Sequence, residues 1–510
     1  MILSMKTLEN PTISLLKEEV TSLQEKLLER DQEVFCLQEQ IEWFKQQLFG
    51  AKSEKVVADL ELGDKGFVVT GSGSEKATID PKKGGRKTPV RTGKDAIKLP
   101  PGLPVETIII DLPEKDKICK ETGLPLVKIG EEVTHKLAHR PGSYFIQEII
   151  RFKYANPGRE EQGILCPELP TTIFPKCRAA DSLLAEIMVD KFANHLPLFR
   201  ISEIMEREGI GISRKLLSQW TGHCGRALIP LYNEMLKRVL LSGNIFVDES
   251  PVNIQAKGGL KKGYMWVLVG GNESNPAYRV YSFAENRCHQ HILDMLDTYE
   301  GDLHSDKYGA YVKLAKKNVI FWNPCWAHIR RYFFEVEFGD LEFCSWVLRR
   351  IRYLYMLERV AWNRSPEERI RIRKEKEVPI IDELIQKIKD RIVAGGYLPK
   401  SKFSKALNYF SGLIPYLKNY TRNAYSNIDN NNAERAIRPL AIGRKNWLFF
   451  GSLAAGQSAA IILSLVQTCR GLKINPREYL EDVFRRLLDH NSQKLHELLP
   501  DQWLLNRSQS

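Results

Sequence analysis

The chain has 510 residues, with 75 lysine and arginine residues against 63 aspartate and glutamate residues and a formal net charge of +12. This length exceeds one ordinary hydrophobic core, so three or four structural units are expected. The positive charge favours a polyanionic partner, nucleic acid ahead of an anionic membrane surface, while charge alone leaves a merely basic protein open.

The N-terminal segment contains acidic side chains and no long apolar core, so we expect no signal peptide. No run of about 18 apolar residues occurs in the sequence, so we expect no membrane span. The 9 cysteines include no CxxC pair. This pattern is typical of a reduced, cytoplasmic protein.

Residues 1–50 carry a heptad pattern. Counting from Ile13 in alternating steps of three and four residues reaches an apolar side chain at every step to Leu48 except Arg30. One seam position holds Ile13, Val20, Leu27, Val34 and Ile41, four of them β-branched, and the other is mostly leucine; this pattern predicts a parallel dimeric coiled coil. The alternative, a long helix packed on its own domain, is disfavoured because a linker follows.

That linker, residues 51–101, is rich in Gly, Pro, Ser and Lys and is expected to be flexible. Its basic side chains would contact phosphates without sequence preference. Short strands then predict a small β-rich domain over residues 102–180. Its cysteines lack the paired spacing of a zinc site; they are Cys119, Cys166 and Cys177.

The segment FRISEIMEREGIGISRKLLSQW, within residues 181–241, predicts a helix, a glycine-containing turn capped by Ser213, and a second short helix. This pattern is typical of a helix-turn-helix that sets its second helix in a DNA major groove. Such hairpins also occur without a DNA-binding role, and the basic balance of the chain favours the DNA-binding interpretation. Arg214 and Lys215, at the start of the second helix, are the candidate contacts.

Three acidic residues stand out in the alternating strands and helices that follow. Asp248 closes the apolar strand GNIFVD, and Asp306 closes the short strand in GDLHSD and precedes a helix. Glu434 lies at the start of a later helix, with Asn430 or Asn431 as its cap. Each acid alone is most often a solvated turn or cap residue, but the three in this order match a ribonuclease H-like layout.

Carboxylates in this arrangement suit phosphodiester chemistry. Hydrolysis or transfer of a phosphodiester needs an activated oxygen nucleophile and a stabilised leaving oxygen, which two Mg²⁺ ions provide. Mg²⁺ takes oxygen ligands, as does Mn²⁺, so a few carboxylates and the substrate phosphate suffice. Surrounding lysines and arginines would hold the DNA.

Four motifs then carry a family resemblance: VDESPV, HSDKYGAY, NPCWAHIRRYFFE and DNNNAERAIRPLAIGRKNWLFFGS. With them the chain resembles the insertion-sequence-66 family of bacterial DDE transposases over nearly its whole length. The resemblance implies a multidomain α/β protein with a ribonuclease H-like core at residues 242–470. A helical insertion at about 340–420 and a helical tail at 471–510 complete the implied organisation.

By this resemblance, Asp248, Asp306 and Glu434 are the catalytic residues and the ligands of Mg²⁺ or Mn²⁺. Members of the family carry paired zinc-binding cysteines where this chain reads DKICKETG and KYANPGREEQGILC, which argues against bound zinc. The basic residues in the motifs are candidate phosphate contacts: Arg330, Arg331, Arg435, Arg438, Arg444 and Lys445.

His328 lies near the site or is a structural residue. Trp447, Phe449 and Phe450 are expected in the core rather than as base-stacking groups.

The implied function is that of a transposase that binds the terminal inverted repeats of its element, cleaves the DNA ends and transfers them to target DNA. Two alternatives stay open: a catalytically inert, transposase-derived DNA-binding protein, and a ribonuclease H-like nuclease that cuts without joining. The expected partners are DNA, a second copy of the chain through the coiled coil, and small accessory proteins of the same element. The expected location is the bacterial cytoplasm, with no membrane contact.

Overall fold

Helices and two β-sheets give the described part of the chain a mixed α/β architecture. This computed structural model describes residues 103–118, 125–140, 142–155, 164–175, 177–271, 277–316, 320–336 and 338–508. The predicted coiled coil and the predicted linker lie outside these residues.

The first sheet has three strands: β1 (Val105–Ile110), β2 (Val127–Arg140) and β3 (Ser143–Ala155). β3 is central, with β1 parallel and β2 antiparallel to it. β2 and β3 form a long hairpin whose turn contains Gly142 at φ 81°, a left-handed conformation that glycine adopts without strain. Leu137 of β2 also pairs with Ala179, which brings the sheet next to the start of the helical segment.

Four helices follow: α1 (Asp181–Phe192), α2 (Leu198–Arg207), α3 (Arg214–Ala227) and α4 (Ile229–Leu240). Between α2 and α3 the chain turns at Gly209, with φ 77°, and buries Ile210 and Ile212. The Ser213 hydroxyl accepts a hydrogen bond from the Leu216 amide at 3.2 Å, which confirms the predicted cap of the second helix.

The second sheet has five strands: β4 (Asn244–Ala256), β5 (Gly259–Gly270), β6 (Tyr278–Ala284), β7 (Gly301–Ser305) and β8 (Ile320–Pro324). α5 (His289–Met295) lies between β6 and β7, and α6 (Gly309–Lys316) lies between β7 and β8. The strand order is β6-β5-β4-β7-β8, with β4, β5 and β6 antiparallel and β7 and β8 parallel to β4. Consecutive residues Ile245, Phe246 and Val247 are all buried, so both faces of the central strand are covered.

The chain beyond β8 is helical: α7 (Trp326–Phe334), α8 (Leu341–Ala361), α9 (Pro366–Ile372), a π-helical turn (Arg373–Glu377), α10 (Val378–Ala394) and α11 (Lys402–Ser411). Arg373 is fully buried, and its guanidinium donates to both carboxylate oxygens of Glu358, at 2.6 and 2.7 Å. It also donates to three main-chain oxygens of the segment that follows α11, those of Tyr420, Asn423 and Ser426. These buried hydrogen bonds fix the position of the segment that leads into the helix beginning at Asn431.

The last helices are α12 (Asn431–Trp447), α13 (Leu453–Gly471), α14 (Pro476–Arg486) and α15 (Pro500–Ser508). α12 packs on β4 and β5, and α13 packs on β6 and on α3. α13 is buried along most of its length because its small residues permit close approach, as where Gly456 meets the Phe283 ring. None of the helices in the described ranges is long and apolar enough to span a membrane.

Candidate active site

Two parallel strands place Asp248 and Asp306 next to each other. β4 and β7 are hydrogen-bonded neighbours, and Phe246 pairs with His304. Asp248 and Asp306 each come two residues after this pair, in the same strand direction. The register therefore brings both carboxylates to the same end of the parallel pair.

Asp248 does not close its strand, contrary to the expectation from the sequence. β4 continues to Ala256 because its second half still pairs with β5, although its pairing with β7 ends at Phe246. Asp306 does follow directly on β7, as expected, and precedes α6. Asp248 thus lies where the central strand loses one of its two neighbours.

Glu434 lies in the first turn of α12, and the N-terminus of this helix is attached to β4. The Asn430 side-chain amide donates to the Val247 carbonyl at 2.8 Å, beside Asp248 in the chain. The Asn430 backbone N–H lies 3.2 Å from the sulfur of Cys325. Asn430 occupies the N-cap position, one of the two positions expected for the cap. It makes no capping hydrogen bond with its side chain, because that side chain donates to β4 instead.

The carboxylates interact electrostatically. The pKa of Asp248 is raised to about 7, mainly by burial and then by the negative charges of Glu249, Asp306 and Glu434. Burial also raises the pKa of Asp306, with Arg287 lowering it and Glu434 raising it. Carboxylates crowded in this way favour either a shared proton or a cation between them.

Glu249 is a fourth acid at the site, and it is paired within the protein. Its side chain is 4% exposed and accepts hydrogen bonds from the Arg287 guanidinium, with Nε at 3.0 Å. The Tyr311 hydroxyl lies 3.4 Å from the other carboxylate oxygen. Arg287 also lies 4.3 Å from the ring centroid of Tyr308. Sequence reasoning missed Arg287, because a residue in the loop after β6 has no motif to mark it.

His328, Cys325 and Glu434 form a compact group, the His328 cluster, in which one ligand atom of each residue lies within 4.8 Å of the others. His328 Nδ1 and Glu434 Oε1 are 3.6 Å apart, and both are buried without a hydrogen-bond partner. Burial lowers the pKa of His328, which leaves the imidazole neutral at neutral pH. Burial raises the pKa of the Cys325 thiol to about 12, which disfavours a thiolate ligand.

The three carboxylates have the oxygen donors that suit a hard divalent cation, but the group of described residues whose ligand atoms already lie within 4.8 Å of one another is the His328 cluster. Asp248, Asp306 and Glu434 offer carboxylate oxygens, the ligands that Mg²⁺ and Mn²⁺ prefer. A cation among them would relieve the repulsion that raises the pKa of Asp248 and would give the orphaned Glu434 Oε1 a partner. Neutral His328 offers one further nitrogen donor at the same place.

The cysteines considered as zinc ligands do not form a metal-binding group within the described residues. Cys166 is half-buried and Cys177 is buried, and the group with metal-binding geometry in the described ranges is the His328 cluster. Cys119 lies outside the described residues.

The candidate basic residues outside α12 are exposed. Arg331 of α7 is exposed and close enough to Asp306 for its positive charge to lower the pKa of that carboxyl, which places Arg331 at the site. Arg330 is exposed on the same helix. Arg214 and Lys215 begin α3 and are exposed, as a DNA-contacting helix requires.

The candidate basic residues of α12 differ in environment; they are Arg435, Arg438, Arg444 and Lys445. Arg438 and Lys445 are exposed. Arg444 Nη1 donates to two oxygens of β4, the hydroxyl of Ser250 at 2.8 Å and the carbonyl of Pro251 at 2.6 Å. Arg435 lines a different cavity, near the start of β4. These side chains therefore do not share one surface, although they are close in sequence.

The aromatic residues after α12 divide between core and surface. Trp447 and Phe450 are buried, as expected, and their ring centroids lie 4.6 Å apart. Phe449 is instead exposed, which corrects the expectation that it belongs to the core. The backbone of Phe450 exchanges hydrogen bonds with Asn253 and Gln255 of β4, and this pairing directs the neighbouring Phe449 side chain outward.

Three family models match the chain. The one described as Transposase IS66 family matches residues 176–458, and the IS66 C-terminal element matches residues 464–500. A third, described as Transposase C of IS166 homeodomain, matches residues 36–108. The first match contains the five-stranded sheet, α12 and all three candidate carboxylates.

Similar proteins occur in Sinorhizobium fredii (strain NBRC 101917 / NGR234). The uncharacterized protein y4hP is 29% identical over 506 residues, which cover 92% of this chain and 89% of that protein. The uncharacterized protein y4qI is 31% identical over 389 residues, which cover 74% and 71%. The uncharacterized protein y4jD is 27% identical over 500 residues, which cover 92% and 95%. The similarity therefore extends along most of each pair of chains.

Proposed function

The chain belongs to the IS66 transposase family, and from this premise we propose that it cuts and joins DNA as the transposase of a bacterial insertion sequence. It would bind the terminal inverted repeats of the element, cleave the DNA ends and transfer them to target DNA in the cytoplasm. The observation that supports the proposal is that the charges of Asp306 and Glu434 both act on Asp248, at the point where β4 separates from β7.

The second sheet supports a ribonuclease H-like core. An antiparallel β4, β5 and β6 followed by two strands parallel to β4 agrees with the layout inferred from the order of the acids. The helical segment Leu341–Ser411 lies between the second acid and the third, where an insertion was expected.

In this proposal, Asp248, Asp306 and Glu434 hold Mg²⁺, and Mn²⁺ substitutes for it. The bound ions would activate an oxygen nucleophile and stabilise the leaving oxygen of the phosphodiester. Burial of the two aspartates strengthens their attraction for a cation, because water screens the charges less. His328, neutral and 3.6 Å from Glu434, would restrict the positions open to that carboxylate.

The positive side chains around the carboxylates would hold the DNA. Arg331 lies at the site and would contact phosphates there, while Arg214 and Lys215 would contact the element ends from α3. The remaining proposed phosphate contacts are Arg330, Arg435, Arg438, Arg444 and Lys445. A second copy of the chain and small accessory proteins of the element are further proposed partners.

Amide substitutions of the acids test this proposal. Asp248→Asn, Asp306→Asn and Glu434→Gln each remove one negative charge and preserve side-chain size. Cleavage and joining of element-end DNA in Mg²⁺ should fall by several orders of magnitude, because the three ligands act as one unit. DNA binding should persist, because its contacts come from other residues.

The control is Asp297→Asn, which changes an exposed aspartate outside the proposed site. Labelled element ends are followed for cut product, joined product and mobility shift in parallel. Near-parental cutting and joining by any of the three amide variants would remove that residue from the site. Cut product without joined product in the parent would indicate a nuclease, and a mobility shift alone would indicate an inert DNA-binding protein.

A further inference from the structure

A second concave surface lies apart from the carboxylates, between α3 and the segment that joins α12 to α13. It encloses about 970 Å³. Its wall includes the start of α3, the end of α1 and residues 447–458. Gln255, seven residues after Asp248 on β4, also lines it. At about 3.3 Å per strand residue, the cavity lies roughly 23 Å along β4 from the first catalytic aspartate.

The charge of this cavity is positive. Lys191, Arg214, Lys215 and Arg226 all line it, and none of the described lining residues is an aspartate or glutamate. Lys191 is half-buried, and none of the ion pairs among the described residues involves it. Its ammonium instead lies 5.8 Å from the ring centroid of Trp447. A partly buried ammonium without a carboxylate partner favours an anionic ligand, because an anion compensates its charge.

Aromatic rings stand beside these cations. Phe199 is 49% exposed and Phe449 is 38% exposed, and both line the cavity. The Arg214 guanidinium lies 5.4 Å from the Phe199 ring centroid. Phe174 and His223 form a stacked pair at the same cavity, with ring centroids 3.7 Å apart. Exposed rings alternating with cations provide both stacking surfaces for bases and partners for phosphates.

The size of the cavity favours unpaired nucleotides over duplex DNA as its ligand. About 970 Å³ lies at the upper end of the range of small-ligand pockets, roughly 300–1,000 Å³. A base pair within a stacked duplex cannot present its faces to Phe199 and Phe449, whereas an unpaired base exposes both faces. The distance of roughly 23 Å from Asp248 corresponds to about seven nucleotide steps of duplex at about 3.4 Å per step.

We propose that this cavity, the α3 cavity, binds unpaired nucleotides of a DNA strand whose duplex part reaches the catalytic carboxylates. The phosphates contact Lys191, Arg214 and Arg226, and the bases stack on Phe199 and Phe449. This proposal rests on the proposed function for the identity of the DNA, and it changes the expected role of α3. The start of α3 meets a strand that has left the duplex rather than an undistorted major groove.

Binding of short oligonucleotides to the full chain tests the proposal. A fluorescein-labelled oligothymidine of about 12 nucleotides and a duplex of the same length are compared by fluorescence anisotropy. Phe449→Ala should weaken oligothymidine binding about tenfold, since stacking on one aromatic ring supplies an effect of this order. Lys191→Gln should weaken it severalfold and reduce the slope of log affinity against log salt by about 0.7, the value for one phosphate of a single strand.

Phe321→Ala is the matched control. Phe321 is 48% exposed, against 38% for Phe449, and it lies outside the α3 cavity. The Arg422 guanidinium lies 4.0 Å from its ring centroid, so this ring too is next to a cation. We expect this variant to bind both probes as the parent does, and all variants to keep the parental circular dichroism melting curve. Phe449 is exposed, so its truncation removes no core contact.

Equal losses on oligothymidine and duplex for Phe449→Ala and Lys191→Gln would overturn the proposal in favour of a duplex-binding surface. Unchanged oligothymidine binding in both variants would also overturn it. Mg²⁺-dependent cleavage of element ends by the parent is measured separately and reports on the proposed function. A parent that cuts ends but whose cavity variants bind oligothymidine normally would refute the α3 cavity alone.

Discussion

The candidate site brings together four acidic side chains, and few positive side chains in the described part of the protein are paired with them. The pKa of Asp248 is raised mainly by burial, then by the negative charge of Glu249, and further by the charges of Asp306 and Glu434. Glu249 contributes a fourth charge at the same place, and only this one has a guanidinium bonded to it, among the described residues. Arg287 thus neutralises the acid that is not a proposed ligand and leaves the other three for a cation.

Arg287→Gln should destabilise the protein through Glu249. Removing the guanidinium leaves a carboxylate that is 4% exposed without its main partner. We expect a loss of about 1–2 kcal/mol in the free energy of unfolding, less than for a fully buried pair because Arg287 is itself 44% exposed. Adding Glu249→Gln to the variant should restore part of the loss, as urea unfolding of both proteins would measure.

Arg350→Gln is the matched control, because its pair with Glu383 has an N–O distance of 3.0 Å and its carboxylate partner is 39% exposed, against 4% for Glu249. Its cost should stay below about 1 kcal/mol. A loss for Arg287→Gln that equals the control, or that Glu249→Gln fails to reduce, would contradict the assigned role of the pair.

Asp181 gives a pH-dependent prediction away from the site. It is buried at the start of α1, and one of its carboxylate oxygens has no hydrogen-bond partner. Burial raises its pKa from 3.8 to about 6, while Lys136 opposes the shift. The folded state therefore keeps this proton at pH values where the unfolded state has lost it. Stability falls as the pH rises from about 4 to about 6, by up to about 3 kcal/mol.

Asp181→Asn should abolish this loss of stability, because the amide does not titrate. The free energy of unfolding of the variant, relative to the parent, should therefore rise between about pH 4 and about pH 6 and stay higher above that range. Urea unfolding at several pH values would measure the difference. Asp489→Asn, at an exposed position, should follow the parent curve. A constant difference between Asp181→Asn and the parent at all pH values would show that the carboxyl keeps the same pKa in both states.

Two kinds of contact hold the elements that carry the proposed functional residues: a close contact between helices, and buried hydrogen bonds from Arg373. α3 approaches α13 where Gly225 faces Ser458, and a Cβ at Gly225 would lie 2.5 Å from the Ser458 Cβ. The segment before α12 is held differently, by hydrogen bonds from Arg373 to its main chain. Both contacts fix elements that carry proposed functional residues, α3 for the α3 cavity and α12 for Glu434.

Gly225→Ala should force α3 away from α13. The added methyl has no room beside the Ser458 backbone and side chain, so we expect a loss of about 1–3 kcal/mol in the free energy of unfolding. Gly222→Ala is the matched control in the same helix, because its Cβ would meet only the end of the Arg226 side chain, at 3.4 Å. It should raise stability by up to about 1 kcal/mol through helix propensity. Equal effects of the two substitutions in thermal unfolding would refute the close contact.

At the scale of the whole molecule, the structure describes the part that carries the candidate site, and the N-terminal part is known from its sequence. The match to the Transposase IS66 family covers residues 176–458, and the heptads of residues 13–48 lie outside the described residues. The proposed transfer of DNA ends involves both ends of an element, and a dimeric coiled coil would hold two copies of the candidate site in one assembly. Dimerisation through the heptads therefore remains a prediction.

Deletion of residues 13–48 should reduce self-association and leave the catalytic part folded. The physical reason is that a coiled coil buries its apolar seam only against a second helix, so its removal takes away the contact area. Sedimentation would compare the mass of the parent and the deletion variant, with circular dichroism as the control for folding. An unchanged oligomer after the deletion would assign self-association to another surface.

Local features of the chain could be predicted from the sequence because their causes lie within a few residues. The cap by Ser213, the position of Asp306 after a short strand and the position of Glu434 in a first helical turn all follow from adjacent residues. The family could be inferred as well, because its motifs are short and contiguous. The expectation for Phe449 was wrong, because hydrogen bonds to a distant strand determine which way that side chain points.

The sequence by itself thus determined the family, the local elements and the identities of the three proposed catalytic acids. Only the tertiary structure decided that Asp248 lies inside a longer strand, that Arg287 pairs with Glu249, and that His328 meets Glu434. It also placed Phe199 and Phe449 in the lining of one cavity. The physical reason is that these relations join residues far apart in the chain, and their distances depend on sheet register and helix packing rather than on local periodicity.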